Sequence, residues 1–328
     1  MAASHTEVWQ HAIVVTVERV ATAIQRIVLR PELPTPVKPG EHVNVRIRIR
    51  GEDDTRSFSI VDASADGAEF ALSVFEGEQS RGGASAMHAL RPADRIEVTQ
   101  PIQDFPLRLN AQRYVLLAGG VGITAIAAMA STLRDRNADY LLVYAGRSRA
   151  AMAYLRELEE LHGERLVAHI REEGTPLDVE ELVELAGEGS ELYMCGPIRL
   201  MDAVRRAWLQ KELPAANLRF ETFGNSRWYE PQEFIVRIPA LDLEAVVGPA
   251  QSMLEALEGA GAEMMYDCRK GECGLCEVRV LALDGILDHR DVFYSERQKD
   301  ATSKFCCCVS RALAPTGNGP AVVTIQTT

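Results

Sequence analysis

The chain has 328 residues, 47% hydrophobic and 25% charged, with 47 acidic against 35 basic side chains and a net charge of −12. That length allows two or three domains, the composition is that of a globular protein, and the charge argues against nucleic acid and anionic membrane surfaces as partners. Apolar runs are too short to span a bilayer, Met1–Gln10 lacks the basic and apolar regions of a secretory leader, and six of seven cysteines follow position 267, which reads as metal ligation in a reducing, cytoplasmic compartment.

Residues 11–110 alternate apolar and polar positions, most clearly where Val43, Val45, Ile47 and Ile49 share one face. That period of two predicts half-buried strands over 12–20, 24–29, 42–49, 57–61, 70–75 and 95–99. Six short strands punctuated by proline and glycine predict a small antiparallel β-barrel. From Gln112 the pattern changes. Strands over 114–118, 140–145, 166–170 and 191–195 alternate with helices over about 123–135, 152–161, 176–185 and 198–212. This alternation predicts a parallel α/β sheet with crossover connections. Residues 224–232 read as a linker. A third segment follows, with strands over 234–238, 243–247 and 321–325 and a short helix over 252–257. The expected domains are therefore 1–110, 111–224 and 234–328, joined at the last step by a linker over 225–233.

Cys268, Cys273 and Cys276 stand as C-x4-C-x2-C, with a fourth candidate among Cys306, Cys307 and Cys308. This is the plant-type spacing of a [2Fe-2S] cluster. Gly271 and Gly274 lie between the ligands, where the backbone curls close to the cluster. A zinc knuckle is the competing reading, but its second half needs a close cysteine pair, and the second group here is a run of three.

Arg56-Ser-Phe-Ser lies on a barrel strand, where an arginine fork suits a phosphate or a flavin edge. Gln79-Ser-Arg-Gly-Gly-Ala-Ser85 precedes a short helix expected over 86–90, an arrangement that suits an anion. Ala118-Gly-Gly-Val-Gly-Ile-Thr124 follows a strand and opens a helix. It lacks the G-x-G-x-x-G fingerprint but still builds a pyrophosphate turn. Tyr193-Met-Cys-Gly-Pro197 closes a strand, and Arg147, Ser148 and Arg149 follow another. Those three could take a 2′-phosphate, clamp a pyrophosphate or face solvent. The histidines have no ligand-like spacing.

Taken in order, Arg56–Ile60, Gln79–Ser85, Gly119–Thr124, Cys195–Pro197, Cys268–Cys276, Asp288–Asp291 and Cys308–Arg311 resemble the phthalate dioxygenase reductase family over nearly the whole chain. The resemblance implies a flavin barrel, a nucleotide-binding α/β domain and an α+β β-grasp ferredoxin domain. It implies FMN, a [2Fe-2S] cluster and NADH, with NADPH as the alternative. It sets Arg56, Ser57, Phe58, Ser59, Val74, Phe75, Arg81, Gly82, Gly83 and Ser85 around FMN. It sets Gly119, Gly120, Gly122, Thr124, Arg147, Ser148, Cys195, Gly196 and Pro197 around the nucleotide, and puts the fourth cluster ligand at Cys308. Catalytic roles fall on Ser59 at flavin N5, on Thr124 of the glycine turn, on Cys195 beside the nicotinamide, and on Phe223 over the flavin ring. Phe58 stands where the family usually has tyrosine, and Ala125 where it has proline.

The implied function is an electron-transfer reductase that takes hydride from NAD(P)H and hands single electrons to a Rieske-type terminal oxygenase. Alternatives are a reductase for a cytochrome P450 or another acceptor, and a non-catalytic iron–sulfur redox sensor. From residue 234 onward there are 13 acidic and 9 basic side chains, so a basic docking face is expected on the partner.

Overall fold

The computed structural model describes residues 7–49, 52–77, 82–223, 229, 231–249, 251–314 and 319–327. The chain divides into two compact units, residues 1–196 with 203–221, and residues 197–202 with 222–328.

The first unit opens with an antiparallel barrel. Its strands are β1 (Trp9–Ala21), β2 (Ile24–Pro31), β3 (Glu41–Ile49), β4 (Glu52–Ala63) and β5 (Phe70–Phe75). The short helix α1 (Gly83–His88) comes next, then β6 (Arg95–Thr99) and a two-residue β7 (Ile102–Gln103). The order β4-β5-β2-β1-β6-β3 closes because β3 also pairs with β4, and β7 pairs with Glu41 and His42 at the start of β3, on the edge that β6 uses further along. Closure removes the exposed edges that an open sheet of this size would leave. Val43, Val45 and Ile47 point inward as their alternation requires, joining Val14, Ile27, Leu29, Leu72 and Val98. Met87 of α1 is completely buried in the same core, so this short helix is held by packing rather than by its own length.

The same unit continues with β8 (Arg113–Gly119), α2 (Ile123–Asp135), β9 (Tyr140–Gly146), α3 (Leu155–His162) and β10 (Leu166–Ile170). It ends with α4 (Val179–Ala186), β11 (Ser190–Cys195), the part of α5 (Ile198–Gln210) from Ala203 onward, and β12 (Leu218–Glu221). The sheet is parallel with order β10-β9-β8-β11-β12. Its central strand β8 buries Tyr114 through Ala118 without a break, as a strand covered on both faces must. The third predicted helix begins later than its pattern suggests. Tyr154 adopts φ 62, its hydroxyl lies 2.5 Å from Ser73 Oγ of β5, and Arg26 stacks over its ring. Holding that contact costs the helix its first turn.

The second unit contains β13 (Phe234–Ile238), β14 (Leu243–Val247), α6 (Met253–Gly259), β15 (Glu277–Asp284) and β16 (Ile286–Asp288). After these come α7 (Glu296–Asp300), β17 (Lys304–Cys306), β18 (Arg311–Leu313) and β19 (Ala321–Thr327). The mixed sheet β14-β13-β19-β15-β17 has β13 parallel to β19, the arrangement of a β-grasp, and α6 packs on it. A capping box between Ser252 and Glu255 starts α6. Strands β12 and β15–β18 were not expected from the sequence. Three of them have three residues each, too short to carry a period. Among the described residues no helix is long and apolar enough to cross a membrane.

Candidate functional site

Three groups of side chains carry the chemistry. The first lies on the barrel. Arg56 and Gly83 meet: a Cβ on Gly83 would sit 3.1 Å from Arg56 Cγ and 3.4 Å from its Nε. Gly82 holds φ +97 at the start of α1, and a Cβ there would reach to 2.7 Å of Ile49. So the arginine and the glycine pair expected to cradle a phosphate do come together. Arg81 lies outside the described residues. The Arg56 guanidinium also bonds Asp54 Oδ1 at 2.5 Å and the Thr55 carbonyl at 3.0 Å. Ser57 is exposed and donates to Asn44 Oδ1 across the β3–β4 pair at 2.6 Å, away from that cradle. Phe58 packs against the barrel core. Val74 is buried, and its carbonyl lies 2.8 Å from His88 Nε2. Phe75 and Ser85 are exposed.

Ser59 is buried, and its hydroxyl donates to Glu221 Oε2 at 2.9 Å. Glu221 ends β12, so this bond joins the flavin strand to the edge of the nucleotide sheet. The sequence reading missed Glu221. The only signal was its position two residues before Phe223. Both groups are buried, which makes the bond costly to break and a firm point of registry.

The second group sits at the carboxyl ends of β8, β9 and β11. A 3-10 turn, Gly120–Gly122, leads from β8 into α2. A Cβ on Gly122 would lie 2.1 Å from the Cys195 carbonyl oxygen, and one on Gly196 would lie 3.0 Å from Gly119 Cα. The two motifs therefore touch, and only glycine lets them. A Cβ on Gly120 would meet no protein atom within 4 Å, which leaves open space at the mouth of the turn. The Tyr144 hydroxyl donates to the Gly120 carbonyl at 3.2 Å. Thr124 is buried and donates to the Val121 carbonyl at 2.9 Å, so it pins the turn. Cys195 is buried at the last position of β11. Pro197 starts α5, its carbonyl accepting from Leu200 and Met201. Ser148 is half-buried, while Arg147 and Arg149 are exposed. The Arg147 Nε bonds Glu172 Oε1 at 3.1 Å, and Arg149 bonds Glu173 through Nε at 2.8 Å and Nη2 at 3.2 Å.

The third group is the cysteine loop of the second unit. Cys268 and Cys273 are half-buried, whereas Cys276 and Cys308 are each 2% exposed. Backbone N–H groups of Lys270, Glu272 and Cys273 all donate to Cys268 Sγ at 3.4 Å. Gly271 and Gly274 have φ of +77 and +76, and Cβ atoms there would strike Val309 at 2.6 Å and the Phe293 ring at 2.4 Å. Buried Asp291 accepts from the Tyr294 N–H at 3.0 Å and the Ser310 hydroxyl at 3.2 Å, which ties the Asp288–Asp291 motif to the Cys308 segment. The Cys307 N–H donates to the Cys276 carbonyl at 3.1 Å. Hydrogen bonds from the thiols of Cys306, Cys307 and Cys308 hold the Cys276 thiol far below its ordinary pKa. Burial pushes Cys268 up to about 11 against those three N–H groups.

No disulfide joins any of the seven cysteines. Among the described residues no three His, Cys, Asp or Glu side chains close on one metal-binding point. A four-cysteine [2Fe-2S] group needs two thiolates on each iron, so three on one point is not its signature. Four thiols, N–H groups aimed at sulfur and two obligate glycines fit that group. Thr222, just before half-buried Phe223, is tied to the same loop. Its N–H donates to Glu272 Oε1 at 2.5 Å and its hydroxyl to the Lys270 carbonyl at 2.9 Å.

Comparison with known proteins agrees with this geometry. The family described as "Oxidoreductase NAD-binding domain" matches residues 116–206, and "2Fe-2S iron-sulfur cluster binding domain" matches residues 240–313. The chain is 34% identical to tetrachlorobenzoquinone reductase of Sphingobium chlorophenolicum, over 92% of its own length and 95% of that protein. It resembles the crystal structure of an intact type IV self-sufficient cytochrome P450 monooxygenase with 32% identity and a TM-score of 0.66. That likeness covers 97% of this chain but only 41% of the longer protein. Phthalate dioxygenase reductase, described as a modular structure for electron transfer from pyridine nucleotides to [2Fe-2S], superimposes with a TM-score of 0.72 and 26% identity, covering 96% and 98% of the two chains. Barrel, nucleotide sheet and cysteine loop thus occur here in the same order and extent, and the chain belongs to the phthalate dioxygenase reductase family of electron-transfer oxidoreductases.

Proposed function

We propose that the chain carries electrons from NADH to a terminal oxygenase component, entering beside Ser59 and leaving from the cysteine loop. Bound FMN accepts hydride as an electron pair, and a bound [2Fe-2S] group passes electrons on singly. Arg56 and the Gly82–Gly83 backbone hold the FMN phosphate. The Ser59 hydroxyl sits at the hydride-accepting edge, and Glu221 fixes its direction. The Gly119–Gly122 turn holds the pyrophosphate, with Thr124 locking the turn. Cys195 and Gly196 form the floor under the nicotinamide, and Pro197 ends that floor. Cys268, Cys273, Cys276 and Cys308 hold the cluster.

The observation that carries this reading is the buried Ser59–Glu221 hydrogen bond, 2.9 Å, between the flavin strand and the nucleotide sheet. Hydride transfer requires the two rings to meet, and this bond brings their supporting strands together. A Rieske-type oxygenase is the acceptor suggested by the likeness to phthalate dioxygenase reductase. The likeness to a P450 monooxygenase that carries its reductase on one chain supports a P450 acceptor as the second reading.

Anaerobic purification with flavin identification, iron and labile-sulfide counts, and paramagnetic resonance after NADH addition tests the scheme. One FMN and two irons per chain are expected. FAD would remove the phosphate cradle, and zinc or a flavin-free protein would remove the electron path.

A further inference from the structure

The adenosine end of the nucleotide site carries a charge arrangement that hydride transfer does not need. In the order β10-β9-β8-β11-β12, the glycine turn follows central β8, and Cys195 ends β11 on one side. A dinucleotide with its pyrophosphate on that turn and its nicotinamide at Cys195 runs its adenosine over the ends of β9 and β10. Arg147 and Arg149 follow β9. Glu172 and Glu173 follow β10, in the 3-10 turn Arg171–Glu173. The two ends are stitched together. Arg147 Nε meets Glu172 Oε1 at 3.1 Å, and the Glu172 N–H donates to the Arg147 carbonyl at 3.0 Å. Arg149 grips Glu173 with two nitrogens, at 2.8 and 3.2 Å, and gives Nη1 to Glu159 at 3.1 Å.

These side chains are 40–80% exposed, and ion pairs in that setting add little to stability. Their consequence is for recognition. A 2′-phosphate is a doubly acidic group that binds best to a free arginine fork. Here the Arg149 fork is already filled, and Arg147 gives its Nε to Glu172. Even with Arg171 counted, the cations on these turns do not outnumber Glu159, Glu172 and Glu173. A 2′-hydroxyl brings no charge and can donate to a carboxylate.

We propose that Glu172 and Glu173 are specificity-determining residues that select NADH over NADPH by occupying Arg147 and Arg149, so that the chain holds a 2′-phosphate site that is blocked rather than missing. The proposal rests on the reading of this sheet as the nicotinamide nucleotide site.

The test uses the FMN- and iron-loaded protein, with ferricyanide as acceptor and NADH and NADPH compared as donors. Wild type is measured beside E172Q, E173Q and E172Q/E173Q, and beside the double variant carrying R147A/R149A as well. Removing one unit charge a few ångströms from the phosphate is worth about tenfold or more in affinity at low salt. The double variant is therefore expected to move the NADPH-to-NADH ratio of kcat/KM toward NADPH by at least about tenfold, through KM rather than kcat. The gain should vanish when both arginines are alanine, and in wild type the ratio should shift toward NADPH as ionic strength rises. Each single variant should show part of the shift, an independent route if the double loses FMN. An unmoved ratio, a gain that survives loss of both arginines, or a wild type that already prefers NADPH would overturn the proposal. If neither nucleotide reduces the flavin, the nucleotide-site reading itself falls with it, whereas NADH reduction with an unmoved ratio removes this proposal alone.

Discussion

Ser59 and Glu221 are the buried pair on which the proposed reaction site rests. Ser59 could be singled out from its four-residue motif, but Glu221 could not, because its partner lies 162 residues away. Replacing Ser59 with alanine removes the hydroxyl proposed for the hydride-accepting edge and takes one donor from the buried Glu221 carboxylate. S59A is expected to slow flavin reduction by NADH about tenfold to a hundredfold in stopped flow, with FMN still bound. An unchanged rate would take Ser59 out of the centre. A second residue-scale effect is set by His162. Its Nδ1 lies 2.7 Å from the Tyr140 hydroxyl, and burial, then Arg134 and Arg165, holds its pKa below the ordinary value. The unfolded chain therefore takes up this proton first, near about pH 6.5. Stability contributed by neutral His162 is present above that pH, is lost as pH falls through it, and levels off below the folded pKa. Thermal midpoints should drop on acidification from about pH 7.5 to about 5.5, and H162Q should flatten part of that slope.

At the scale of elements, the cysteine loop is tightly constrained by its glycines. A Cβ on Gly274 would sit 2.4 Å from the Phe293 ring at φ +76, so G274A must shift the ring and strain the backbone together. Iron per chain should fall well below two in G274A, while flavin content holds; full iron loading would mean that the loop tolerates the change. The thiols of Cys306, Cys307 and Cys308 all bond the Cys276 thiol, and burial with that contact pushes each of the three up; the family resemblance proposes Cys308 as the fourth ligand. C308S is expected to lose the cluster absorbance and paramagnetic signal, and C306S to keep both. The reverse result would move the fourth ligand. Long, strongly periodic elements such as β3, β8 and α2 were legible beforehand because burial on one or both faces imprints a period. Helix α3 begins late because Tyr154 was taken by a contact with the barrel, and β16–β18 are too short to leave any imprint.

For the molecule as a whole, the acidic balance of residues 234–328 predicts electrostatic docking to a basic protein acceptor. Reduction of cytochrome c, a basic protein, by NADH should fall severalfold as salt rises from about 0.05 to about 0.5 M, while ferricyanide reduction should not fall in parallel. Equal salt responses would remove electrostatic docking from the picture. The order of flavin barrel, nucleotide sheet and cluster loop could be read from the chain alone. Cysteine spacing, glycine turns and hydrophobic period are local properties, written within a few residues of one another. Folding was needed to learn which side chains share a centre: Ser59 with Glu221, Gly122 with Cys195, Arg149 with Glu173. Those partners sit on strands or on the turns just after them, whose neighbours are chosen by sheet order, and a contact made between neighbouring strands leaves no mark in the residues on either side of it.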